Sequence, residues 1–126
     1  SFAKVLAERR QKMLNQIVLV GRLTKNPEII TKENGKKIAV VTLAVQRPYR
    51  NSDNLYETDF IRCVLWDGVA QNTQNYCHSG DIIGIKGRLQ SETYQDAEGK
   101  TKYVSEVIAE KVTFLSSKKE ESNQSN

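Results

Sequence analysis

Residues 58–66 (TDFIRCVLW) constrain this chain more than any other stretch of it. A strand sends successive side chains to opposite faces, so the run separates into two sets. Ile61, Cys63 and Leu65 make one face, compact and apolar throughout. Phe60, Arg62, Val64 and Trp66 make the other, with two large aromatics and a guanidinium. The first face suits a core. The second is too polar for one and too aromatic for an idle surface, so the chain needs a fold that buries one side of this strand and shows the other. Similar β-rich runs occupy residues 17–23 (IVLVGRL), 38–45 (IAVVTLAV), 81–89 (DIIGIKGRL) and 103–114 (YVSEVIAEKVTF).

Punctuation between the runs sets their connections. Asn34-Gly35, flanked by Ile29-Ile30 and Ile38, is a strong hairpin signal. Residues 46–57 (QRPYRNSDNLYE) are polar and turn-rich and are expected to form a long loop, and a hairpin is expected around residues 96–99. Residues 70–78 lack strand character, and Thr73 and Tyr76, with Val69 just before the stretch, have near-helical spacing, which predicts a short helix ending before Gly80. Three strands, a short helix and two more strands, with long hairpin loops, is the order of a five-stranded all-β OB-fold barrel. One domain, residues 13–115, is expected from the length. The pattern starts just after Met13, the sole methionine, so residues 1–12 are expected to be a fused leader, with a marginal amphipathic helix as the competing reading. Residues 116–126 (SSKKEESNQSN) lack any apolar side chain and read as a disordered polar tail.

The totals exclude more than they assign. No apolar run approaches the roughly 18 residues that span a bilayer, and no secretory signal pattern opens the chain, so a cytoplasmic, nucleoid-associated location is expected. Cys63 and Cys77 are too few for a disulfide framework and lack metal-ligand spacing. His78 is the only histidine and fits an exposed position at a helix end better than a triad. There is no P-loop and no G-x-S-x-G, while Asp59 and Asp67 fall at strand ends, where turn and capping roles come first. No enzyme, metal or cofactor is expected. The net charge of +4 is mostly in the leader, which holds Lys4, Arg9, Arg10 and Lys12 against Glu8. Residues 13–115 carry thirteen Lys and Arg against twelve Asp and Glu, so any affinity for nucleic acid must come from how charge is placed.

Placement supplies it. On the fourth run Ile83, Ile85, Gly87 and Leu89 share a core-like face, leaving Lys86 and Arg88 on the other, and Arg22 is out of phase with Ile17, Leu19 and Leu23. Arg47, Tyr49 and Arg50, with Tyr56 beyond them, interleave charge and aromatic in one loop, and Tyr94, Lys100, Lys102 and Tyr103 do so in another. Aromatics stack on any base and Lys or Arg neutralise phosphates, so the combination is that of a single-strand groove. Arg22, Arg47, Arg50, Arg62, Lys86, Arg88 and Lys102 are the expected phosphate contacts. The alternative for Phe60 and Trp66 is a secondary core or a subunit interface.

The stretches LNQIVLVGRLTKNPE, VTLAV, TDFIRCVLW, the helix ending in NY, and GRLQSETYQDAEGK with YVSEV occur in the order found in bacterial single-stranded DNA-binding proteins. The chain from Met13 to about Phe114 resembles their DNA-binding domain. That resemblance implies sequence-independent binding and protection of single-stranded DNA in replication, recombination or repair, with no catalysis. It implies base stacking at Tyr49, Phe60, Trp66 and Tyr94, and a homotetramer. Members of the family usually end in an acidic, apolar tip that recruits replication and repair proteins. This chain ends in KKEESNQSN, which leaves replication and repair proteins open as partners, and the sequence reads as truncated or as a short paralogue from a mobile element. An OB-fold that docks another protein, and one that binds RNA, are the competing functions.

Overall fold

A computed structural model describes residues 1–4 and 13–117 of the chain. Residues 2–4 are helical, while residues 5–12, on which both readings of the leader rest, and 118–126, most of the polar tail, lie outside the described residues. Six strands and a helix follow in the order β1 (Ile17–Leu23), β2 (Ile29–Thr31), β3 (Lys37–Arg50), β4 (Tyr56–Trp66), α1 (Asp67–Tyr76), β5 (Ile82–Gln95) and β6 (Thr101–Ser116).

Hydrogen bonding runs β1-β5-β6-β4-β3-β2, and an added β1–β3 pairing closes β1, β3, β4, β5 and β6 into a barrel. This is the OB-fold, with β2 as an extra strand. β2 is the first arm of the hairpin that Asn34-Gly35 announces, pairing Ile30 with Ile38 and Thr31 with Lys37. Its three residues lacked the length that marks a strand in sequence.

Closure depends on short contacts at two seams. β1 meets β3 only through Arg22–Ala44 and Leu23–Leu43, and β6 meets β4 in parallel only through Cys63–Val107 and Val64–Ile108. Gly21 stands at the first seam, and Gly87 of β5 packs on Ile108, a β6 residue of the second. A Cβ on Gly21 would lie 2.5 Å from the Ala44 carbonyl oxygen, and one on Gly87 would lie 2.0 Å from that of Ile108. The inward rows then fill the barrel: Leu23, Leu43, Cys63, Leu65, Ile83, Ile85 and Val107 are completely buried. Burial pushes the Cys63 thiol up to about 11 and raises that of Cys77, so both stay protonated at neutral pH.

The helix closes one end of the barrel. It runs over 67–76, three residues earlier at its start and two at its end than the expected 70–78. Ala70 and Thr73 are its buried face, and the Thr73 hydroxyl donates to the Val69 carbonyl (2.8 Å). Asp67 is in the first turn of the helix and makes a long-range contact instead of a turn or cap bond, accepting the backbone N–H of Lys37 at 3.0 Å. His78 follows the helix with its side chain 70% exposed, and its backbone N–H is held by the buried Asp81 carboxylate. Among the described residues no helix is long and apolar enough to cross a membrane.

Two expectations need correction. Residues 46–57 are not one long loop: β3 continues to Arg50 and β4 begins at Tyr56, leaving a five-residue tip. A hairpin arm that stands clear of the barrel has no core face, so its strands need no apolar alternation and look like loop in sequence. Leu89 does not join the core. It is 46% exposed although its β6 partner Val107 is buried, because β1 pairs with β5 only as far as Gly87 and does not reach Leu89.

Candidate nucleic-acid interface

The outward row of β4 is built as its alternation requires, and the residues opposite it are what expose it. Phe60, Arg62, Val64 and Trp66 pair across the ladder with Ala44, Thr42, Val40 and Ile38 of β3. None of these is large enough to cover an aromatic ring. Phe60 is 68% exposed, a conspicuous cost for a large apolar side chain that has a whole barrel to hide in.

On the far side of β4 the β5–β6 hairpin rises, and its near face carries Gln90, Glu92 and Tyr94 from β5 with Val104, Glu106 and Ile108 from β6. Between hairpin and β4 lies a groove of about 660 Å³ that also takes in Arg62, Trp66 and Lys32. Val64 and Ile108, partners in the parallel pairing, are its buried apolar floor.

Of the residues nominated from sequence, this arrangement brings Arg62, Trp66 and Tyr94 into one groove, with Phe60 next in the same row. Lys102 lies opposite Tyr94 in the hairpin, 3.9 Å from Asp96. Arg88 pairs opposite Ile108 and donates to the Gln90 side-chain oxygen (2.7 Å). Tyr49, 63% exposed, and Arg50 belong to the β3–β4 hairpin, where the Arg50 guanidinium sits 5.2 Å from the Tyr56 ring centre and donates to Asn54. Lys86 and Arg22 stand apart from the groove. Lys86 faces Val18 and Lys111 on the β1-β5-β6 wall, and the Arg22 guanidinium donates to the Gly80 carbonyl (2.6 Å).

Carboxylates are closer to these cations than the strand patterns suggested. Arg62 Nε lies 3.2 Å from Glu106, whose side chain is only 16% exposed. Arg47 donates from Nε and Nη2 to Asp59 (2.9–3.2 Å) and from Nη1 to Glu57. Asp59 is therefore no end-of-strand turn residue. Its carboxyl is held below the usual aspartate range by the Arg47 hydrogen bonds, and the guanidinium is raised in return.

Sequence reasoning missed Lys32 and Glu106. The Lys32 ammonium is 5.0 Å from the centre of the Trp66 ring, a cation–π contact. It was findable: Ile30, Ile38 and Trp66 form a cross-strand row, and Lys32 is the next outward position beyond Ile30. Glu106 is outward by the same parity that makes Val107 core.

The model of the single-strand binding protein family matches residues 14–115. The chain belongs to that family. Among its relatives, Single-stranded DNA-binding protein 3 of Listeria innocua is 46% identical over 106 residues, 84% of this chain and 66% of that one. Single-stranded DNA-binding protein B of Bacillus subtilis is 43% identical over 86% of this chain and 96% of its own length. The Single-stranded DNA-binding protein of Halalkalibacterium halodurans is 48% identical over 82% of this chain and 61% of its own. The chain thus matches just under two thirds of two relatives and nearly all of the third. Members of the single-strand binding protein family bind DNA and are not enzymes, and the groove has chemistry that suits such a ligand: the ring faces of Trp66 and Tyr94 with the cations Lys32 and Arg62, beside the carboxylates of Glu92 and Glu106.

Proposed function

We propose that this chain, through residues 13–115, binds and protects single-stranded DNA without sequence preference, in the cytoplasm and in the service of replication, recombination or repair. The outward row of β4, with Phe60 and Arg62 exposed and Trp66 half-buried in the groove, is the observation that carries the reading. Bases stack on Phe60, Trp66, Tyr94 and Tyr49. Phosphates meet Arg62, Arg50, Arg88 and Lys102 along the path, while Lys86 and Arg22 stand apart from it on the β1-β5-β6 wall. Each stacked base is worth about 1–3 kcal/mol whatever its identity, which is why a groove with few hydrogen-bonding base readers is indifferent to sequence. Lys32 shields Trp66 in the free protein and becomes a further cation beside the strand when a base takes its place.

Trp66 is the only tryptophan, so its emission reports on the groove directly. Titration with oligo-deoxythymidine should quench it deeply and duplex of equal length should not, with affinity falling as salt rises by about 0.7 log units per tenfold salt for each phosphate neutralised. Equal binding of duplex, or no binding by quenching and anisotropy alike, would remove this function and leave a protein-docking OB-fold. An RNA competitor in the same titration separates DNA from RNA preference.

The chain also works as a homo-oligomer in this reading, with a tetramer as the assembly that places several grooves on one strand. Supporting it, β1 pairs with β5 along 17–22 but with β3 only at its last two residues, so among the described residues one edge of β1 is without a neighbouring strand. Val18, Val20 and Leu115, all exposed, lie beside that edge or across the same wall, with Gly84 between Val20 and Leu115. An open edge next to an apolar patch is what a second copy covers. Val20→Glu should lower the mass seen by sedimentation to that of smaller species, while an unchanged mass would place the interface elsewhere.

A further inference from the structure

The cation that fits worst as a phosphate contact is Arg47. Its guanidinium has five N–H donors, and the Nε–Nη2 edge, the fork that would grip a phosphate in two places, is already closed on Asp59. Nη1 is taken by Glu57. One positive charge thus stands between two negative ones, and the cluster as a whole repels an anion. A phosphate would find the Nε–Nη2 fork of Arg47 already filled, with only the remaining Nη hydrogens on offer beside two carboxylates.

The backbone indicates what the cluster does instead. The β3–β4 ladder is regular from Ile38–Trp66 to Gln46–Thr58, and its next partner pair is Arg50–Tyr56. Two extra residues of β3 are taken up in that interval, and Pro48 within it has no N–H to offer the ladder. Backbone hydrogen bonds therefore leave the direction of the outer hairpin weakly determined at this point. Beyond the break the tip is organised by itself: Asn51 Oδ1 accepts the backbone N–H groups of Asp53 and Leu55, and Asn51 N–H donates to the Leu55 carbonyl. Arg47 reaches across the break from β3 to two residues of β4, and Glu57 also accepts a long contact from the Asn51 amide, which ties the clamp to the tip. Tyr49 stands within the interval that the clamp spans.

We propose that Arg47 is a positioning residue: clamped by Asp59 and Glu57, it sets the angle at which the β3–β4 hairpin leaves the barrel, and so places Tyr49 for base stacking. The proposal rests on the single-strand-binding reading above. Its sharpest consequence is a sign. Asp59→Asn removes a negative charge from the neighbourhood of the strand, and electrostatics alone would then tighten binding. Loss of the clamp weakens it.

The test measures affinity for oligo-deoxythymidine across a salt series for Asp59→Asn and Arg47→Lys, each made in the wild-type and in the Tyr49→Ala background. Both side chains are about 40% exposed and outside the core (39% for Arg47, 45% for Asp59), so thermal melting of the barrel serves as the folding control. Either substitution should weaken binding by about five- to tenfold, within what one stacked base supplies. The salt slope should be unchanged, because no phosphate contact is lost, and the effect should vanish once Tyr49 is alanine. Lysine should fail to rescue, since it keeps the charge and lacks the fork. Tighter binding by Asp59→Asn, or a further loss on top of Tyr49→Ala, overturns the proposal. So does an Arg47→Ala slope smaller by about 0.7, the mark of a direct phosphate contact. Should the wild-type chain itself not bind the strand, the functional reading fails, a result separate from any of these.

Discussion

Phe60→Ala should weaken binding to oligo-deoxythymidine by about 5- to 150-fold, the equivalent of 1–3 kcal/mol of stacking lost from one base. It should do so while leaving the melting temperature of the barrel almost unchanged. The two expectations together are what make the experiment informative. A phenylalanine in a core costs about 3–5 kcal/mol of stability when cut to alanine. Phe60 is 68% exposed and faces only Ala44 across the ladder, so little packing is lost with it. The salt dependence should keep its slope, since no phosphate contact goes, and Phe60→Trp should restore or exceed wild-type affinity because a larger ring offers more stacking area. The opposite pattern, with affinity retained and the assembly or its melting temperature reduced, would move Phe60 from the DNA face to an interface between subunits.

What made Phe60 legible was alternation, and what hid other parts of the site was its absence. A strand against a core must repeat every second residue, so residues 60–66 could be sorted into two faces without any structure. The arms that carry Tyr49 and Tyr94 stand outside the barrel, where neither face is buried, and the polar stretch 46–57 consequently passed for loop although β3 and β4 extend well into it. Leu89 shows the reverse error: its parity with Ile83 and Ile85 is real, but β1 pairs with β5 only as far as Gly87 and does not reach it. Charge was harder still. Parity put Arg62 outward correctly, yet only the β4–β6 pairing puts Glu106 beside it, and that pairing joins residues 44 positions apart in the chain. Arg47 had the composition of a phosphate ligand in sequence. Its two carboxylate partners, ten and twelve residues further on, change what it can do.

Gly87→Ala should destabilise the fold by about 3 kcal/mol or more, a large share of the 5–15 kcal/mol typical of a whole domain, and should abolish binding as the barrel opens. The reason is steric. Gly87 has no positive φ, so alanine could adopt its backbone conformation, but the added methyl would stand 2.0 Å from the Ile108 carbonyl oxygen and 2.9 Å from its carbon. Those are backbone atoms, and no side-chain rotation relieves the clash. β6 would have to withdraw from β5 where it also holds β4 through Cys63–Val107 and Val64–Ile108. Gly99→Ala is the matching control. That glycine has φ of 81° and nothing within 4 Å of a Cβ, so its cost should be confined to the left-handed backbone, about 1 kcal/mol. Urea midpoints of the two variants separate steric closure from conformational preference with one chemical change. If Gly87→Ala proved no worse than Gly99→Ala, the seam between β5 and β6 would have slack enough to absorb a methyl group. The groove wall that depends on this seam, with Glu106 two residues before Ile108, would then be set by the hairpin's own pairing rather than by barrel closure.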